Sequence, residues 1–166
     1  MPAAMTIAAT WIISTAQRAR RVIAVDSNLL IYSHRADSKF HVAAKELIDS
    51  LRHQSVPWAI PWPCIHEFIS IITHPGIYKP PTPLNEALEA LAMWQAGDNL
   101  HLLSESTGYY EKLRELALAA KLSGPRIHDA RIAALCLHHG VSELWSADRD
   151  FSAFPQLKVR NPLVKK

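Results

Sequence analysis

Two apolar runs that each end in an aspartate constrain the fold of this chain more than any other feature. Val22-Ile23-Ala24-Val25 runs into Asp26, and Leu144-Trp145-Ser146-Ala147 runs into Asp148. Short apolar runs of this kind read as strands buried on both faces. An ionised carboxylate at the edge of a core is costly unless a cation or hydrogen bonds compensate it. Both acids are therefore expected at the carboxyl ends of buried strands, where open α/β sheets place their active sites.

Strand and helix signals alternate along the rest of the chain. A helix or turn is expected over 28–34, and a longer helix over 40–53, where Val42, Leu47, Ile48 and Leu51 recur at helical spacing. Trp58-Ala59-Ile60-Pro61 reads as a second strand. Pro63 suits the first turn of a helix reaching Thr73, stopped by Pro75-Gly76. Tyr78-Lys79-Pro80-Pro81-Thr82-Pro83 is an extended loop. A helix over 84–95 is expected to be capped by Gly97. His101-Leu102-Leu103 gives a third strand and 107–121 another helix. After the break at Ser123-Gly124-Pro125, a helix over 127–139 ends at Gly140, and 143–147 forms a fourth strand. A fifth is expected at an edge, over Leu157-Lys158-Val159. Alternation of this kind predicts three layers, α/β/α, around a parallel sheet of four to five strands joined by right-handed crossovers.

A length of 166 residues fits one domain with one core. The net charge of +3 permits a polyanionic partner without requiring one. Cys64 and Cys136 show neither CxxC nor finger spacing, which speaks against structural zinc or a disulfide framework and makes a reducing cytoplasm the expected location. Residues 1–21 carry an apolar run, Met5 to Ile13, with Arg18, Arg20 and Arg21 behind it. That is the reverse of a secretory order, and the run is too short to span a bilayer. These residues are expected to be an appended, poorly packed arm, arising from a start codon placed too early, with the domain proper covering 22–166.

Two further acids stand in unusual places. Glu67 interrupts a helix whose Ile65, Phe68, Ile69, Ile71 and Ile72 leave almost no polar face, so it is expected to meet a buried base or a metal. Asp129 opens the helix containing Ile132, Ala133 and Leu137, where capping is an equally good use for a carboxylate.

Taken together, these positions resemble the PIN-domain nucleases, specifically the VapC-type toxins of bacterial type II toxin–antitoxin pairs. The resemblance is carried by Val25-Asp26-Ser27-Asn28-Leu29-Leu30, His66-Glu67-Phe68, Ile127-His128-Asp129-Ala130-Arg131-Ile132-Ala133-Ala134 and Trp145-Ser146-Ala147-Asp148-Arg149-Asp150-Phe151. Any one motif is weak, but four in register from Val22 to about Leu157 are strong.

The resemblance implies a metal-dependent endoribonuclease. Asp26, Glu67, Asp129 and Asp148 map onto the family's acidic quartet, and Asn28 and Ser146 onto polar positions that orient a water or a carboxylate. A carboxylate set without histidine or thiolate suits Mg²⁺ or Mn²⁺, and the acids are expected to converge closely enough to share it. Asp150 is expected either to share the metal or, as the favoured role, to cap the turn Phe151 to Phe154. The family's sheet order implies that the first and fourth strands lie side by side. Its partners imply an RNA substrate, a VapB-type antitoxin whose tail covers the groove, a homodimer formed through helices of the amino-terminal half, and no membrane.

Other features carry less. Arg35, Lys39, Lys79 and Arg149 can track an RNA backbone or be solvated charges. His138-His139 reads as a helix end, His128 either touches substrate or orients its helix, and Trp58, Trp62, Trp94 and Trp145 read as core. A haloacid-dehalogenase-like phosphatase needs a second acid two residues after the first, and Asn28 stands there instead. A catalytically lapsed RNA-binding module of the same fold is the non-enzymatic alternative.

Overall fold

The computed structural model describes residues 21–164, and the expected low-order arm falls, except for Arg21, outside the described residues. Five parallel strands, β1 (Ile23–Val25), β2 (Trp58–Pro61), β3 (Leu100–Leu103), β4 (Glu143–Trp145) and β5 (Val159–Arg160), form one sheet in the order β3-β2-β1-β4-β5. The helices are α1 (Ser27–His34), α2 (His41–His53), α3 (Trp62–Ile72), α4 (Leu84–Gln95), α5 (Tyr109–Ala119) and α6 (Ile127–His138).

The strand order positions the site. The chain steps outward from β1 to β2 to β3, then returns to lay β4 on the other side of β1. In register, Ala24 pairs with Ala59 on one side and Leu144 on the other. The direction of winding therefore reverses between β1 and β4, which opens a crevice beyond their carboxyl ends. Helix contacts divide in the same way: α1 packs on α2 and α3, and α3 on α4, while α5 packs on α6. Right-handed crossovers put these two groups on opposite faces, giving the expected three layers.

The strands are short and apolar because they are central. Ala24, Val25, Trp58, Ala59, Ile60 and Leu144 are fully buried, with Leu29, Leu30, Phe68, Ile72 and Leu135 closing the helical layers over them. On α2 the inward stripe is Ala44, Ile48 and Leu51, at helical spacing. Val42, expected on that stripe, points outward and is 68% exposed.

Several boundaries differ from expectation. Gly97 does not cap α4; the helix ends on Ala96 in right-handed geometry, and Gly97 has no positive φ. Gly140, with φ of 71°, does terminate α6 as expected. The last strand is Val159–Arg160 rather than 157–159, because Leu157 turns inward as a buried core residue. The β4 strand stops at Trp145, so Asp148 stands in the following turn rather than at the strand's end. His139, read as a helix-end residue, is indeed the C-cap of α6 but is buried, and donates from Nε2 to the Ser104 carbonyl at 2.8 Å.

Candidate active site

Asp26 leaves β1 and caps α1, its Oδ1 accepting the Ser27 backbone N–H at 2.7 Å. Its Oδ2 accepts from Ser146 Oγ at 2.6 Å and Asn28 Nδ2 at 2.8 Å, and the buried Cys64 thiol lies 3.4 Å from Oδ1. The carboxylate is 3% exposed. Burial pushes its pKa up, while bonds from Ser146, Ser27 and Cys64 oppose the shift and the nearby Glu67 charge adds to it.

Asn28 and Ser146 tie the two central strands together at this point. Asn28 Nδ2 reaches Ser146 Oγ at 3.1 Å, and Asn28 Oδ1 accepts the Ala147 N–H at 3.1 Å. Ser146 Oγ also accepts the Asp148 N–H at 2.9 Å. The turn carrying Asp148 is thereby fixed to the residues that hold Asp26.

The remaining acids approach from the edges. Glu67 lies on an exposed strip of α3 shared with His66, so the helix has a polar face after all, and that face borders the crevice. Ser27 Oγ donates to Glu67 Oε2 at 2.7 Å. Asp129 stands in the first turn of α6, accepts no hydrogen bond among the described residues, and lines the crevice. Burial raises its pKa first, followed by the charges of Asp148, Asp150, Asp26 and Glu67. Asp150 does not cap the turn that follows it: Asp148 Oδ1 accepts the Asp150 N–H at 2.8 Å, so the capping carboxylate is Asp148.

All four acids of the quartet line one cavity of about 300 Å³, together with Ser27, Asn28, Ile31, Tyr32, Ile71, Tyr78, Ile132 and Phe151. Its donors are oxygens, the chemistry that hard divalent cations prefer. Among the described residues, however, no three His, Cys, Asp or Glu side chains stand as a ready-made metal cage. The expected tight convergence is therefore not assembled. Such openness suits Mg²⁺, which keeps several waters and takes only one or two carboxylates directly.

The basic residues divide. Lys39, Lys79 and Arg149 are exposed. Arg35 is not a free cation: its Nε and Nη2 donate to Asp37 at 2.9 and 2.6 Å, and its Nη1 donates to the Pro80 carbonyl and to Thr82 Oγ1, both at 3.2 Å. The guanidinium also lies 4.0 Å over the ring of Tyr78. Trp58, Trp94 and Trp145 are core as expected, whereas Trp62 is half-buried and stacks at 5.8 Å on His66. Sequence reasoning passed over Ser27, Cys64, Tyr32 and Tyr78. Ser27 had one available signal, its place between Asp26 and Asn28 at a helix start; Tyr32 and Tyr78 meet the crevice, and Cys64 meets Asp26, only through tertiary packing.

Four carboxylates on one cavity beyond the switch point of a parallel α/β sheet are a donor set suited to metal-assisted hydrolysis. Residues 23–157 match the PIN domain family, and the chain belongs to it. It is 31% identical over 142 residues to Ribonuclease VapC43 of Mycobacterium tuberculosis, covering 86% of this chain and 96% of that one. It is 28% identical over 137 residues to Ribonuclease VapC48 of the same organism, covering 82% and 94%. Among solved structures, VapBC-1 from nontypeable Haemophilus influenzae superimposes with a TM-score of 0.62 at 14% identity, covering 86% of this chain and 99% of that one. The M. tuberculosis VapC20 toxin, described as cleaving the sarcin-ricin loop, gives 0.59 at 17% identity, covering 80% and 95%. PIN-domain VapC nucleases generally use a divalent metal. No helix among the described residues is long and apolar enough to cross a membrane.

Proposed function

We infer that this protein is a VapC-type toxin, an endoribonuclease that hydrolyses RNA phosphodiester bonds with Mg²⁺ or Mn²⁺. The observation that carries this reading is the meeting of Asp26, Glu67, Asp129 and Asp148 on one cavity at the β1/β4 crevice. Among them, Asp129 and Asp148 keep carboxylate oxygens free of the hydrogen bonds that occupy Asp26, and with Glu67 they are the groups to hold the ion and its water shell. A bound divalent ion neutralises the phosphate and lowers the pKa of water toward neutrality. Asp26, buried and held by four donors, fixes the negative potential at the floor of the cleft. Asn28 and Ser146 hold Asp26 and the Asp148 turn in register. Asp150 lies close enough to add its charge at Asp129, and the exposed Lys79 and Arg149, next in the chain to Tyr78 and Asp148 of the cavity lining, are the cations for RNA phosphates.

The phosphatase alternative loses further support because Asn28, standing where that chemistry needs an acid, is spent on Asp26 and Ala147. A catalytically lapsed module would not need to retain all four acids on one cavity. The VapBC assembly among the structural relatives supports a VapB-type antitoxin as partner, and the same family reading supports a homodimer acting in the cytoplasm. The boundary at residue 22, with 1–21 as an appended arm, remains part of this reading, qualified by the contact that Arg21 makes with Glu143.

The test is cleavage of cellular RNA by the purified protein with Mg²⁺, with EDTA, and after Asp148→Asn. Cleavage that requires the metal and disappears in the variant is expected. Cleavage indifferent to EDTA would overturn the reading.

A further inference from the structure

The crevice is lined by two unlike sets of residues, the acids and the group Ile31, Tyr32, Ile71, Tyr78 and Phe151. Water, a metal ion and a phosphate need only the first. Apolar and aromatic lining beside a phosphate site suits the other half of a nucleotide, its base.

Tyr78 is the more constrained of the two tyrosines. It lies in the loop between α3 and α4, a place where side chains are ordinarily mobile. Here the loop is tied down. The Tyr78 N–H donates to the His74 carbonyl at 3.1 Å, and the Thr82 N–H donates to the Ile72 carbonyl at 2.8 Å. Arg35, reaching across from the end of α1, binds the Pro80 carbonyl and Thr82 Oγ1 and lays its guanidinium on the Tyr78 ring. Asp37 occupies the remaining edge of that guanidinium through two hydrogen bonds. Every donor nitrogen of Arg35 therefore serves the loop or its own anchor.

Arg35 does not line the crevice, whereas Tyr78 does. The guanidinium that lies on the Tyr78 ring therefore holds a residue of the cavity lining without entering the lining itself. Tyr32, which also lines the cavity, is braced by Phe40 at a centroid distance of 5.2 Å. Two braced aromatic residues in the lining of a cleft that also holds carboxylates have little conformational entropy left to lose on binding.

The geometry points to a nucleobase-stacking subsite at Tyr78, assisted by Tyr32, that takes one unpaired base next to the phosphate being cut, with Arg35 as the positioning residue for Tyr78. This rests on the ribonuclease reading and specifies its substrate as RNA whose bases are splayed from the helix, in a loop or a single strand. The guanidinium that reads in the sequence as either an RNA-backbone contact or a solvated charge instead holds the ring that stacks on the base.

The probes are two end-labelled strands of equal length, an oligoadenylate and its abasic ribose-phosphate counterpart, bound to the full chain in EDTA and followed by fluorescence anisotropy. Stacking is tolerant of base identity, so oligoadenylate serves without knowledge of the natural target. Tyr78→Ala is expected to weaken oligoadenylate binding about tenfold, the loss of one base stack, and to leave abasic binding unchanged. Tyr78→Phe keeps wild-type affinity for both strands. Arg35→Ala reproduces a smaller base-dependent loss, again sparing the abasic strand, whereas general damage to the fold would weaken both. Equal binding of oligoadenylate by wild type and Tyr78→Ala overturns the subsite, as does an equal loss on both strands. In parallel, wild-type cleavage of cellular RNA with Mg²⁺ reports on the ribonuclease reading alone: a protein that cuts RNA but shows no base-dependent effect at Tyr78 loses only the subsite.

Discussion

Ser146 Oγ donates to Asp26 Oδ2 at 2.6 Å while accepting the backbone N–H of Asp148 at 2.9 Å, so a single hydroxyl joins two acids of the crevice. It does so from the first residue after β4, opposite the first residue after β1, and this is possible only because those strands are neighbours. Removing the hydroxyl leaves both acids in place but unfastened. Ser146→Ala is expected to lower kcat about 10- to 100-fold, the usual effect of losing a group that orients a metal-site ligand. It should also cost about 1–3 kcal/mol of stability through the unsatisfied Asp148 N–H and Asn28 Nδ2. Steady-state cleavage and urea unfolding measure the two effects separately.

Asp26 and Asp148 will respond differently to loss of charge. Either Asp→Asn change is expected to abolish cleavage. Relief of repulsion among the acids would by itself leave the fold intact and raise stability in both variants. The structure restricts that gain. Both Asp26 oxygens accept from donors, so an amide nitrogen at one of them faces Ser146 and Asn28 as donor against donor. Asp26→Asn should therefore cost about 1–3 kcal/mol. Asp148 needs only one oxygen, for the Asp150 N–H, and asparagine supplies it. Asp148→Asn should unfold at the same urea concentration as wild type or a higher one.

Asp129 is the acid whose neutralisation stabilises. It makes no capping bond, and burial together with Asp148, Asp150, Asp26 and Glu67 lifts its pKa above 3.8. A carboxylate with a raised folded-state pKa weakens the fold above that pKa, and the cost disappears as pH falls below the unfolded value. Asp129→Asn is therefore expected to be more stable than wild type at pH 7, by up to about 1 kcal/mol given its partial exposure. The two proteins should converge below about pH 4. Mg²⁺ should raise the Tm of wild type more than that of the variant. A variant less stable than wild type at pH 7 in EDTA contradicts this account.

The parts of the fold that the sequence discloses are those fixed by local pattern. Buried strands announce themselves as apolar runs, and the acids at Asp26 and Asp148 mark the reversal between β1 and β4 because carboxylates there need a reason. Side-chain commitments do not announce themselves. Arg35 looks like any exposed cation until Asp37, Pro80 and Thr82 are brought around it, and two of those lie more than forty positions away. The family pattern singles out Asp148 as an acid of the quartet and leaves the cap to Asp150, but the direction of one N–H gives the cap to Asp148. Glu67 misled in the other direction: five apolar neighbours at helical spacing read as a helix that buries it, yet the helix has an open edge at His66 and Glu67, beside the crevice.

At the opposite end of the sheet, Glu143 predicts an acid-labile clasp. It is fully buried on β4, receives Trp145 Nε1 at 2.8 Å, and pairs with Arg21 and Lys158, each at 2.7 Å. Burial alone would raise its pKa, but the bonds from Lys158, Trp145 and Arg21 overcome that and hold it at about 2, against an ordinary 4.5. A depressed carboxylate contributes stability that is complete above its unfolded pKa and is lost as pH falls toward its folded one. Wild type should therefore lose stability between about pH 4.5 and pH 2 through this residue. Glu143→Gln, which keeps an acceptor for Trp145 but not the charge, should cost about 1–3 kcal/mol at pH 7, discounted because the cations are themselves largely exposed. The difference from wild type should close by pH 2. Arg21→Ala removes one of the cations and should show a smaller loss in the same pH window. Since Glu143 lies far from the acids in the crevice, RNA cleavage at pH 7 by the folded variants should match wild type, and urea unfolding across the pH range measures the rest. A Glu143→Gln deficit that stays constant down to pH 2 would show that the residue acts through packing and not through its charge.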